Sequence, residues 1–144
     1  MPNLNTLELE DARITDDFYL ALAESASGTM LESIKHYGGP GISAAASEAY
    51  AKSICTMPNL KTLELEEVKI ADDFFLALKA SASGARLESI KHYEGPGISA
   101  AASEAYAKSI CTMPNLTTLE LEEVKIADDF FLALKASASG ARVL

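Results

Sequence analysis

The feature that most constrains this 144-residue sequence is that it repeats itself. MPNL recurs at Met1, Met57 and Met113, and the stretch Met57 to Thr112 matches Met1 to Thr56 at 45 positions. A repeated unit cannot bury its apolar face alone, so it stacks on its copies and builds a solenoid in place of a closed globule. Within the period the pattern LxxLxL appears twice, as Leu4, Leu7, Leu9 and then as Leu31, Ile34, His36. The cycle returns at Leu60, Leu63, Leu65, at Leu87, Ile90, His92, and at Leu116, Leu119, Leu121. The steps between these starts are alternately shorter and longer, in a 27/29 pattern, so two unequal units alternate. Five strands are predicted, with Val143 and Leu144 opening a truncated sixth.

Alternation of apolar and polar residues at Leu7, Glu8, Leu9, Glu10 marks a strand with one buried face. A helical stretch follows each strand. In the first type of unit Asp72 and Asp73 supply capping oxygens and negative charge at the helix start. Phe74, Leu78 and Ala82 recur at four-residue spacing, and Gly84 offers a stop. In the second type, GPGIS makes Ser99 the N-cap, and Ala102, Tyr106 and Ile110 form the inward stripe with Cys111 close behind. The GGPG loop at Gly38 to Gly41 and the EGPG loop at Glu94 to Gly97 read as insertions that lengthen this unit; neither carries the Lys and Ser or Thr of a phosphate cradle. Strand, loop and helix repeated in order give parallel strands with right-handed crossovers. Because a helix is wider than a strand, the stack curves with helices on the outside.

A hydrophobic fraction of 49% in 144 residues supports one buried core, hence a single domain over residues 1–144. The formal charge of −9 and pI of about 4.6 repel phosphate backbones and anionic lipid, which argues against nucleic acid and membrane surfaces as partners. No apolar run approaches the ~18 residues of a membrane helix, and Met1 opens directly into repeat sequence with no leader. Cys55 and Cys111 lie one period apart, two layers from each other and beyond disulfide reach, so both are expected as free, buried thiols, which points to a reducing, cytoplasmic setting.

These LxxLxL strands, the Ile followed by a helix-opening Asp or Ser, and the 27/29 alternation resemble leucine-rich repeats of the ribonuclease-inhibitor type, found also in NOD-like receptors. MPNLKTLELEEVKI is similar to that family's lead-in to its strand. The resemblance implies an α/β leucine-rich-repeat solenoid, a horseshoe with a concave parallel sheet and convex helices, that serves as a non-catalytic scaffold for protein–protein interaction. It departs from the family in one respect: the asparagine or cysteine expected after each strand is replaced by Ala12, Gly39, Val68, Gly95 and Val124. Loop donors must then be satisfied by backbone and water, or the turns differ in shape.

With Leu7 and Leu9 pointing inward, three rows cross the concave face. Thr6, Ser33, Thr62, Ser89 and Thr118 form a small polar row, and Glu8, Lys35, Glu64, Lys91 and Glu120 a row of alternating sign able to neutralise itself. The third row, Glu10, Tyr37, Glu66, Tyr93 and Glu122, sets aromatic anchors between acids. These five residues with Lys35 and Lys91 are the candidate binding surface, for an unidentified protein partner of basic character. The bland alternative is that each Tyr leans on the adjacent Gly/Pro loop.

His36 and His92 replace the third strand leucine, where a pH switch, a metal site or an enzyme centre is the rival reading. Two layers separate them and no second ligand lies nearby in their own units, so the favoured role is a neutral core imidazole bonded to a loop carbonyl. No cofactor and no catalytic residue is assigned. Neither terminus reads as a polar cap, which predicts self-association through terminal layers. The stretches Met57 to Arg86 and Met113 to Arg142 differ only at Lys61 and Thr117, as expected of an engineered or truncated array; a fragment of an innate-immune receptor's sensing domain is the alternative.

Overall fold

A computed structural model describes residues 5–10, 15–39, 41–95 and 97–136. Five strands, β1 (Thr6–Glu10), β2 (Ser33–Tyr37), β3 (Thr62–Glu66), β4 (Ser89–Tyr93) and β5 (Thr118–Glu122), alternate with helices α1 (Asp16–Ser25), α2 (Ala44–Thr56), α3 (Asp72–Ser81), α4 (Ala100–Thr112) and α5 (Asp128–Ala136). The strands pair parallel in chain order, β1-β2-β3-β4-β5, each helix packs against the next, and the predicted register is the observed one. This is an α/β solenoid, with five strand–helix units stacked side by side along one parallel sheet. Leu4, Ala12, Val143 and Leu144 lie outside the described residues, and with them the truncated sixth strand.

The unequal unit lengths have two sources. The loop from β2 to α2 (38–43) is one position longer than the loop from β3 to α3 (67–71). Helix plus return segment is longer by one position again, 44–61 against 72–88. The Gly/Pro loop therefore supplies only half of the difference. Pro40 and Pro96 lie outside the described residues.

Helix starts differ between units for a chemical reason. Ser43 and Ser99 accept from Ala46 N and Ala102 N at 3.2 Å, closing the N-termini of α2 and α4 as predicted. Asp72 and Asp73 do not cap α3. Ala71 holds the cap position without a side-chain bond, and the two aspartates sit in the first turn, where they act only by charge on the helix dipole. Short 3-10 turns at Ala26–Gly28 and Ala82–Gly84 end α1 and α3.

The core lies between sheet and helices. Leu31, Ile34, Leu60, Leu63, Leu65, Leu87 and Ile90 are sealed beneath Ala46, Ile54, Ala102 and Ile110. An aromatic chain runs along it from layer to layer, Tyr19 to Tyr50 at 4.9 Å, Tyr50 to Phe74 at 5.7 Å, Phe75 to Tyr106 at 4.7 Å and Tyr106 to Phe130 at 5.8 Å between ring centroids. Tilted and edge-on contacts of this kind add to the hydrophobic term. Cys55 and Cys111 are free; Cys55 is buried, whereas Cys111 is only half-buried. Burial pushes the Cys55 thiol up to about 12, leaving it protonated and inert.

Candidate functional site

Strand pleat and register build the solvent face of the sheet directly. Pairing Glu8 with Lys35, Lys35 with Glu64, Glu64 with Lys91 and Lys91 with Glu120 puts the middle row in line, and Glu10, Tyr37, Glu66, Tyr93 and Glu122 likewise lie side by side. The middle row does not neutralise itself as the sequence suggests. Among the described residues the ion pairs are Lys52–Glu48 and Lys108–Glu104, both one turn apart on exposed helix surface. The sheet carboxylates are engaged diagonally instead. Tyr37 Oη donates to Glu64, and Tyr93 Oη donates to Glu120 at 2.7 Å, each reaching to the next strand. These bonds hold the two phenols up at about 12, the carboxylate acceptor being the main cause. The tyrosines are thus pinned to the sheet by their hydroxyls.

One residue beyond β2, β3, β4 and β5 a further row follows, acidic at three of its four positions. Gly38, Glu67, Glu94 and Glu123 all adopt positive φ, at 64°, 54°, 48° and 56°. Gly38 N, Glu67 N and Glu94 N donate to Glu66 O, Tyr93 O and Glu122 O at 2.8 to 3.0 Å, so the turn extends the strand ladder. Left-handed backbone is easy for Gly38 and costs the glutamates about 1 kcal/mol each. A hydrogen bond to Glu67, then the charge of Glu123, raises the Glu94 carboxyl to about 7. The carboxyl edge of the sheet therefore carries Glu10, Glu66, Glu67, Glu94, Glu122 and Glu123 around two tyrosines. An open depression of about 390 Å³ lies against Tyr37, lined by Glu10, Gly38, Glu66 and Glu67.

Behind the sheet, His36 and His92 face the core at 3% and 1% exposure. Among the described residues neither meets a loop carbonyl. His36 Nδ1 lies 3.0 Å from Tyr50 Oη and His92 Nδ1 3.1 Å from Tyr106 Oη. Both signals were in the sequence, since each histidine and its tyrosine fall on the inward stripes of one unit. His92 also stacks near Phe75 at 6.4 Å, and its Nε2 has no hydrogen-bond partner; a side chain on Gly95 would sit 3.1 Å from that atom. Burial pushes both imidazoles down to about 4, so they are neutral at pH 7. Among the described residues no group of three or more His, Cys, Asp and Glu is placed to hold a metal ion.

The missing asparagine ladder has a replacement that repeat spacing does not signal. Ser47 and Ser103, fully buried on α2 and α4, accept from Ala71 N and Ala127 N at 3.0 Å and lie 3.4 Å from Ile42 O and Ile98 O. One helix serine thus ties its own loop to that of the next unit. Val68, buried where the family places asparagine, fills space.

Residues 59–78, spanning β3 and most of α3, match the family model described as Leucine Rich Repeat. No curated protein matches the chain. Repeats of this family typically form scaffolds for protein–protein interaction and are generally non-catalytic. Among the described residues no helix is long and apolar enough to cross a membrane.

Proposed function

We propose that the chain is a non-catalytic scaffold that binds a basic protein partner through the carboxyl edge of its concave sheet, with Tyr37 and Tyr93 as anchors and Glu10, Glu66 and Glu122 as charge partners. The observation that carries this reading is the tyrosine–carboxylate geometry. Each ring is fixed by its hydroxyl between two glutamates, and fixed aromatics beside like-signed charge suit a cation, which the ring face and the carboxylates both attract. Lys35 and Lys91 lie one row back, where they repel a cation from mid-sheet and so favour the edge. The alternating spacing of strand starts, at Thr6, Ser33, Thr62, Ser89 and Thr118, supports the ribonuclease-inhibitor type. Near-identity of the copies supports an engineered array, and the free thiols support a reducing compartment.

Calorimetric titration with an oligolysine and an oligoglutamate peptide tests it. The oligolysine should bind and the oligoglutamate should not. A variant carrying Tyr37→Ala and Tyr93→Ala should lose that binding while keeping the parent's circular dichroism. Binding that survives both substitutions in the folded protein sinks the assignment.

A further inference from the structure

From the periodicity of this edge we infer that the partner is a polyproline-II segment carrying Arg or Lys at every third residue, its cations seated in two equivalent notches, one at Glu10–Tyr37–Glu66 and one at Glu66–Tyr93–Glu122. The inference rests on the binding reading above and adds the partner's conformation. Equivalent positions recur every second strand because the units alternate. At ~4.8 Å between neighbouring strands the notches repeat every ~9.6 Å. A polyproline-II chain has three residues per turn and rises ~3.1 Å per residue, so it shows the same face every ~9.3 Å. A β-strand shows the same face every ~6.7 Å, too short for one period and too long at two. An α-helix returns its seventh residue after ~10.5 Å, with a larger mismatch that accumulates.

Charge and shape agree with this occupant. The two rows at the edge, Glu10, Tyr37, Glu66, Tyr93, Glu122 and the following Gly38, Glu67, Glu94, Glu123, contain no basic residue. The tyrosine rings stand half-exposed at the same interval as the acids, so that each seated cation meets an aromatic ring as well as two carboxylates. Glu66 belongs to both notches, which makes it the residue on which the spacing depends.

The experiment compares three blocked peptides of equal charge by calorimetry at low salt: four repeats of Pro-Pro-Arg, the same residues reordered so that the arginines are unevenly spaced, and an alanine-rich helix with arginine at every seventh position. The regular Pro-Pro-Arg peptide should bind about ten-fold more tightly than the reordered one, because two notches engage together. Exposed Glu66→Gln, which leaves the core untouched, should reduce that preference to about two-fold, and Glu122→Gln should reduce it less. Equal affinity for all three peptides overturns the spacing while leaving a basic partner in place, as does tighter binding of the helical peptide. Failure of every cationic peptide to bind sinks the underlying function reading as well.

Discussion

Helices α3 and α5 share the sequence DDFFLALKA from their first aspartate, yet they are packed differently. In α3, Phe74, Phe75, Ala77 and Leu78 are buried; in α5 only Phe130 and Ala133 are. Phe75 is 2% exposed between Tyr106 and His92, whereas Phe131, its copy, is 58% exposed. The strands tell the same story, Leu65 being buried in β3 and Leu121 half-buried in β5. Phe75 owes its burial to the neighbouring unit, whose β4 and α4 bring His92 and Tyr106 onto it. In a solenoid, burial is a property of the neighbouring layer as much as of the residue.

The largest expected effect exploits this contrast. Phe75→Ala should cost about 3–5 kcal/mol in urea unfolding, whereas Phe131→Ala should stay within about 0.5 kcal/mol. Similar losses at the two positions break the comparison.

Acid acts on the even layers. His36 and His92 are held at about 4 in the fold against about 6.5 when unfolded, so the unfolded chain binds more protons between those values. Stability is complete above pH 6.5 and falls as pH drops toward 4, by about 2 kcal/mol per histidine at pH 5. An unfolding free energy that is flat from pH 7 to pH 5 contradicts the buried neutral imidazoles.

Removing the serine ties is next. Ser47→Ala strips an acceptor from Ala71 N at the start of well-covered α3, and Ser103→Ala does the same to Ala127 N before α5. Each should cost about 1–3 kcal/mol, with the Ser47 change the larger because the loop it serves is better covered. Faster amide exchange at Ala71 and Ala127 reports the loss directly.

The smallest effect lies on the surface. Glu94 is held at about 7 between Glu67 and Glu123, so affinity for a cationic peptide should rise a few-fold as pH passes from 6 to 8 and Glu94 ionises. Glu67→Gln should abolish more of that rise than Glu123→Gln, since the hydrogen bond to Glu67 contributes most to holding Glu94 protonated. Equal responses from the two variants would remove the distinction between these flanks.

Much of the molecule was legible beforehand because repeats convert sequence spacing into geometry. Register, row composition, the Ser43 and Ser99 type of cap and the inward histidines all follow from the period that separates Met1 from Met57, with strand alternation inside it. The bonding partners were not legible. Tyr37 reaching diagonally to Glu64 rather than staying in its own row, and Ser47 standing in for an asparagine, depend on side-chain reach across strands and units, which spacing along the chain does not record.

By itself, then, the sequence determined a periodic α/β stack, the identity of each column along the sheet and the acidity of its carboxyl edge. Those properties are set by local alternation and by copying. Tertiary structure decided which of two identical phenylalanines is buried, which carboxylates are engaged by tyrosine and which serine closes the loops. Each of these depends on atoms brought in by the adjacent unit, and contacts such as Ser47 to Ala71 or Tyr93 to Glu120 form only once the layers have stacked.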